Sequence, residues 1–370
     1  MKKTLAFILA VCMMLALCAC GATETAPAAA PAEEAPAAAP AEEAAPAEET
    51  APAEEAAPAE EAAAAAYKLG MGIVVSTEST TETTAQVDAT FAAVVLNENG
   101  EIVSCRLDCA QNKMDVTAPD FAKTFQTKME LGDNYNMVTY GNAIAEWYDQ
   151  AKAFEAYVEG MTADQVASIE TVVNEEGHSV AVDETLLAGC TMSIADFMEA
   201  VVKACNDEQG MEFEADGEFT LGVAAKTVAD ESTEATAEEA GSVNMYSYFG
   251  AAVVDANGVI LATLNDAIQP KIAYTADGVT GEASFKGTKR ELGDDYNMVA
   301  YGAAIAEWFE QSMAFSQYCV GKTAAEVGAI ETVVNEEGHN VAVDEALLAG
   351  CTMSISDMQA VVTGAVGYAR

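Results

Sequence analysis

The residues of this chain that could do chemistry come in pairs. His178 and His339 are its two histidines, and each closes the same ten-residue segment, IETVVNEEGH, at 169–178 and at 330–339. Glu175, Glu176 and His178, with their copies Glu336, Glu337 and His339, offer donor types found in transition-metal sites. The carboxylates are adjacent in a predicted turn, where neighbouring side chains diverge, so a solvated turn is expected and no metal. Gly321-Lys322-Thr323 has the ending of a phosphate-binding loop, but the motif's first glycine would fall at Ser316, inside a helix. Its counterpart Gly160-Met161-Thr162 has no lysine, and a helix stop followed by a helix start accounts for both. No serine, cysteine and histidine spacing singles out a catalytic nucleophile, so no catalytic residue is assigned and an enzyme is not the expected reading.

Cysteine usage points the same way. Cys105, Cys109, Cys190, Cys205, Cys319 and Cys351 lie beyond the leader, and of these only Cys190 and Cys351 match between copies. Cys105 and Cys109 sit four apart on a predicted strand, about 13 Å from each other along one face, too far for a disulfide. Free, buried thiols are expected. Two further segments hold candidate binding residues. LLAGCTMSI, at 186–194 and 347–355, carries Gly189, Thr191, Gly350 and Thr352. LGDNYNMV (131–138) and LGDDYNMV (292–299) offer Asp133, Tyr135, Asp294 and Tyr296, which with Trp147 and Trp308 could line a pocket for a planar ligand.

The elements that must position these residues are themselves repeated. Residues 127–196 and 288–357 align without a gap at an offset of 161, with roughly 50 of 70 positions identical. In each copy an early hairpin is predicted: TFAAVVLN, Asn99-Gly100 and EIVSCRLD in the first, YFGAAVVD, Asn257-Gly258 and VILATLND in the second. LGMGIVV (69–75) reads as a preceding strand. Ile144, Trp147, Tyr148, Ala151, Phe154, Tyr157 and Val158 form one apolar helical stripe, with Gly160 at its C-terminal end. Thr162 to Gln165 and Thr323 to Glu326 match capping boxes. NEEGH is predicted as a turn and LLAGCTM as a short extended stretch. Ser193 and Ser354 are expected to cap a closing helix. Strands first and helices after them make an α+β domain. The expectation is two tandem copies of an antiparallel-sheet-plus-helices domain, at 67–207 and 217–370, each with its own core.

What precedes them has no folding pattern. Lys2 and Lys3 lead an apolar run, Leu5 to Leu17, of signal-peptide length. Its end, Leu17-Cys18-Ala19-Cys20, resembles the bacterial lipobox. That resemblance implies a leader over 1–19, cleavage before Cys20, and a lipid on Cys20 that anchors the protein to the outer face of the cytoplasmic membrane. Residues 20–66 are rich in Ala, Pro and Glu-Glu and are expected to be a disordered tether. At ~3.1 Å per residue such a tract can extend on the order of 140 Å. The formal charge of −44 repels nucleic acid, which is excluded as a partner.

With its early hairpin and late Gly-x-Thr segment, each copy resembles the FMN-binding domain family of bacterial surface flavoproteins. In that family a Ser or Thr of the motif Asp-x-x-Ser/Thr-Gly-Ala-Ser/Thr is esterified by FMN. Gly189 and Thr191, and Gly350 and Thr352, match it; Cys190 and Cys351 replace its alanine, Ala188 and Ala349 its first Ser/Thr, and Thr185 and Ala346 its Asp. The resemblance implies FMN at Thr191 and Thr352 and a role as flavin carrier in extracellular electron transfer. The alternative is a non-redox ligand-binding or structural module of the cell envelope, without a cofactor.

Overall fold

In the computed structural model the structure describes residues 64–175, 177–336 and 338–370. The leader, Cys20 and nearly all of the tether lie outside them. The first copy opens with three antiparallel strands, β1 (Ala65–Ser76), β2 (Thr84–Leu96) and β3 (Ile102–Asp115). Two short helices follow, α1 (Lys128–Leu131) and α2 (Met137–Gly141), then the long α3 (Trp147–Val158) and the short α4 (Ala163–Ala167). A small hairpin, β4 (Thr171–Val173) and β5 (Ser179–Ala181), leads through one turn of helix, α5 (Glu184–Leu187), to α6 (Ala195–Cys205). Strand β6 (Met211–Ala215) returns to pair with β1.

The second copy starts with β7 (Phe219–Val228), β8 (Gly241–Asn244), β9 (Tyr246–Asp255) and β10 (Ile260–Ile268). After β11 (Lys271–Thr275) and β12 (Gly278–Val279) its helical half repeats the first: α7 (Lys289–Leu292), α8 (Met298–Gly302), α9 (Trp308–Cys319), α10 (Ala324–Gly328), β13 (Thr332–Val334), β14 (Asn340–Ala342), α11 (Glu345–Leu348) and α12 (Ser356–Gly367). The large sheets run β3-β2-β1-β6 and β10-β9-β7. Pro270 follows β10, and because proline cannot donate to a ladder, the strand that runs unbroken as β3 is split here; β11 pairs with β8 in a separate small sheet.

This is the α+β, antiparallel architecture the sequence predicts, but each copy does not keep a core to itself. On β2, Ala85, Val87, Ala89, Phe91, Ala93 and Val95 face the opposing sheet and join Leu221, Val223, Phe249, Ala251 and Val253 in one apolar cluster. Phe91 and Phe249 meet at 4.9 Å between ring centroids. The alternate residues Ala92, Val94 and Leu96 face α3 and α6 instead. Each sheet thus has two apolar faces, helices cover one, and the twin sheet covers the other. The result is four layers: helices, sheet, sheet, helices. All of Ala89 to Leu96 is buried. The unbroken apolar run within it, Phe91 to Leu96, rather than alternation, is the sequence mark of a strand buried on both faces.

Close helix packing is built on glycine. A Cβ on Gly70 would lie 2.0 Å from the carbonyl oxygen of Ala204, and one on Gly222 would lie 2.0 Å from that of Ala365. Leu69-Gly70 and Leu221-Gly222 are therefore the same position in the two copies, in a region where the sequences have otherwise diverged.

Four local expectations need correction. The helical stripe starts at Trp147; Ile144 is 55% exposed, because the chain before the helix turns at Asn142 and leads away from the core. Strand β1 begins at Ala65, so the last two alanines assigned to the tether are paired with Ala215 and Glu214. LLAGCTM is not extended: Asp183 caps a helical turn through the N–H groups of Thr185 and Leu186, and Asp344 does the same for Ala346 and Leu347. Ser193 and Ser354 do not cap the closing helices, which begin after Ile194 and Ile355 without a side-chain bond.

Candidate functional site

The best-built polar site forms where the long hairpin meets the first helical turn. The Thr127 hydroxyl accepts the N–H of Glu130, whose carboxylate accepts that of Thr127, at 3.2 and 2.9 Å. This box starts α1 and fixes Lys128 at its first position. Asp108, buried on β3, accepts the N–H of Met129 at 3.0 Å and of Cys109 at 2.7 Å. In the second copy Thr288 and Glu291 form the same box, and Asp266 accepts from Arg290 at 3.0 Å and Ala267 at 2.7 Å. Burial pushes the Asp108 carboxyl up to about 7 and Asp266 to about 6; the Arg290 charge holds Asp266 back. The carboxylates are thus anchors for a backbone turn, and what they anchor is a lysine.

The lysine lies among aromatic rings. Lys128 Nζ is 4.9 Å from the ring centre of Tyr135 and 5.4 Å from that of Trp147. Lys289 Nζ is 4.5 Å from Tyr296 and 5.5 Å from Trp308. An ammonium this close to aromatic faces is held by the ring quadrupole. Tyr135 and Trp147, and Tyr296 and Trp308, which the sequence grouped around a planar ligand, are therefore brought together. The lysine between them was missed; its recurrence one residue into a repeated capping box was the available signal. Two aspartates of that group remain: Asp133 accepts a hydrogen bond from the Tyr148 hydroxyl at 3.0 Å, and Asp294 sits in the turn Gly293–Tyr296, its backbone carbonyl accepting the N–H of Asn297.

The copies differ on the sheet side of the lysine. In the second, Tyr246 and Tyr248 project from β9 and stack at 4.5 Å. The Tyr246 ring lies 4.4 Å from Lys289 Nζ, and its hydroxyl accepts a hydrogen bond from the ammonium. Lys289 is only 4% exposed, and burial lowers its amine to about 7, against the opposing charges of Glu231 and Asp266. Tyr246 and Tyr248 pair with Val228 and Lys226 of β7; the matching partners of Ser76 and Val74 on β1 are Asp88 and Thr90. Two small polar side chains therefore stand in the first copy where two tyrosines stand in the second. Lys128 is correspondingly half-buried rather than sealed. Asp88 Oδ1 is buried and makes no hydrogen bond, while its Oδ2 accepts from Gln86 at 2.7 Å.

The chain matches no family model, and neither a curated protein nor a solved structure is significantly similar to it.

The flavin-motif residues have structural work of their own. Thr191 donates through its N–H to the side-chain amide oxygen of the buried Gln150 at 2.9 Å and through its hydroxyl at 3.3 Å; Thr352 does the same with that of Gln311. A Cβ on Gly189 would lie 2.7 Å from the Ala153 Cβ, and one on Gly350 2.8 Å from that of Ala314, so both glycines let the segment close on the long helix. His178 and His339 stand on exposed hairpin turns, where each backbone N–H is held by an asparagine side chain, Asn174 or Asn335. Glu176 and Glu337 lie outside the described residues. Among the described residues no cluster of three or more metal-ligating side chains occurs. All six described cysteines are free and buried. A groove of about 1150 Å³ runs between β6 and α9 past Met211, Phe213 and Met313, with Glu208, Glu212 and Glu310 on its rim. Its charge disfavours an anionic occupant.

Proposed function

We propose that this chain is an exported, lipid-anchored envelope protein whose duplicated body binds a planar aromatic ligand at the lysine–aromatic site, with a flavin as the first candidate. The observation that carries the reading is the position of Lys128 between Tyr135 and Trp147, beside the unsatisfied oxygen of Asp88. Rings that stack on a ligand plane, with a cation and an acceptor at its edge, are the usual means of orienting a flat heterocycle. The lipobox-like Cys20 and the acidic tract after it support the external, tethered placement.

The residues fit the flavin ring better than they fit its phosphate. Lys128 can donate to a ring carbonyl and Asp88 can accept from a ring N–H. Asp88 and Asp196 both act on Lys128 and its surroundings as negative charges, which oppose a phosphate placed there. Attachment through Thr191 would have to take its hydroxyl from Gln150. Noncovalent binding through the ring is therefore the form proposed. A bound flavin would supply one- and two-electron chemistry, as an extracellular electron carrier requires; the chain's own residues would hold and orient the ring. Titration of the protein with riboflavin, followed by fluorescence quenching, tests this, and no saturable quenching would end the reading. Mass analysis of the peptide holding Thr191, from protein made in its own host, tests the covalent form. Labelling with radioactive palmitate that is lost in Cys20→Ala tests the anchor.

A further inference from the structure

We propose that the groove between β6 and α9 is a docking surface for an extended, cationic segment of a partner protein, which joins the first sheet as a strand beside β6. The inference does not depend on the ligand proposed above.

The groove has a backbone edge on one side and an apolar wall on the other. β6 is the last strand in the order β3-β2-β1-β6, and among the described residues its one ladder partner is β1. In an antiparallel pair every second residue turns its N–H and C=O away from the partner, so the outer edge of β6 offers donors and acceptors to another strand. The opposite wall is made by Leu261 of β10, by Phe309 and Met313 of α9, and by Val320 just after it. β6 spans about 16 Å and α9 about 18 Å, a length matched by about five residues of extended chain.

The two copies differ on this wall. At the offset of 161, Met313 stands where the first copy has Lys152, and Val320 where it has Glu159. Lys152 reaches Asp149 at 3.9 Å, as a charge on an uncovered helix face does. The second copy presents apolar side chains there instead, and Val320 is 41% exposed. A partner that covers this face accounts for the exchange.

The inner edge of β6 shows which strand it takes. Met211, Glu212 and Phe213 lie opposite Leu69, Lys68 and Tyr67 of β1. The apolar residues of both strands join the layer between the sheets, and the lysine stands across from the glutamate. A strand on the outer edge meets the same residues and Glu214, with Glu208 and Glu310 on the rim. Cross-strand pairing then calls for lysine or arginine alternating with apolar residues. A second copy of β6 fails that requirement, because it brings glutamates beside Glu212 and Glu214.

The experiment uses the full chain in detergent at physiological salt. The probe is a fluorescein-labelled peptide of seven residues, lysine alternating with valine, read by anisotropy. A peptide of the same composition with its lysines in one block is the control. Saturable binding of one alternating peptide per chain is expected, with the block peptide at least tenfold weaker. The formal charge of −44 would attract both peptides alike, so equal binding overturns the proposal, as does no saturable binding of the alternating one. M313K/V320E gives the second copy the first copy's residues without changing net charge, and affinity at least tenfold weaker is expected. Affinity unchanged in M313K/V320E overturns the proposal. If that variant melts early, E212Q/E214Q, altered at exposed side chains of β6, carries the same expectation and the same refutation. A dimer of the peptide-free protein that is lost in these variants assigns the groove to a second copy and overturns the choice of occupant.

Discussion

Arg290 of the second copy reaches Asp207, at the end of the first copy's closing helix, at 3.0 Å, and both side chains are more than nine-tenths buried. Its guanidinium also donates to the Gln209 carbonyl at 2.7 Å, and Asp207 accepts the N–H of Met71 at 3.1 Å. A second crossing pair joins Arg370 to Glu155 at 2.6 Å. The copies are therefore tied together by ion pairs, the first of them buried on both sides, as well as through the shared apolar layer. Asp207→Asn leaves a buried guanidinium without its counter-charge. A loss of about 3 kcal/mol is expected, read as a lowered urea midpoint.

The shared layer makes the body one cooperative unit. Calorimetry should give a single transition, and residues 64–207 made alone should bind a hydrophobic dye, since Phe91, Val95 and Met71 lose the sheet that covers them. Two separable transitions would show that each copy folds by itself.

Gly70→Ala and Gly222→Ala each drive a methyl group into a helix carbonyl. Each should cost about 1–3 kcal/mol, as overpacking does. Similar shifts in the denaturation midpoint for the two variants would establish that the positions are equivalent.

Asp108 gives a pH dependence with a definite sign. Its folded carboxyl titrates at about 7, above its ordinary value of 3.8, because burial disfavours the charge. The folded state therefore holds the proton more tightly than the unfolded one. This contribution to stability is fully present below the unfolded value and is lost as pH rises towards 7. Asn in its place can still accept from the N–H groups of Met129 and Cys109. Asp108→Asn should therefore gain stability relative to wild type between pH 4 and pH 7, by on the order of a few kcal/mol. An unchanged difference across that range would refute the assignment.

Burial also pushes the thiols up, Cys190 and Cys351 to about 11, Cys205 and Cys319 to about 12. Thiolate is the reactive form, so native protein should label slowly with a thiol reagent at neutral pH. In denaturant the six cysteines of the body should all react at once.

The local features were legible from the sequence because short-range geometry decides them. Asn99-Gly100 and Asn257-Gly258 do turn hairpins, with Gly100 and Gly258 at φ +75°. Thr323 and Glu326 do cap a helix reciprocally, at 2.8 and 3.4 Å. Trp147, Ala151, Phe154 and Val158 do face one core. The duplication was equally plain. Tertiary structure alone decided what lies against the second face of each sheet, since an apolar run states that a strand is covered and not by what. It also decided that Lys128, ordinary in sequence, lies against two aromatic rings and Lys289 against three, and that Asp88 and Tyr246 hold one place in two copies. Those relations join residues far apart in the chain, and only packing brings them within reach of each other.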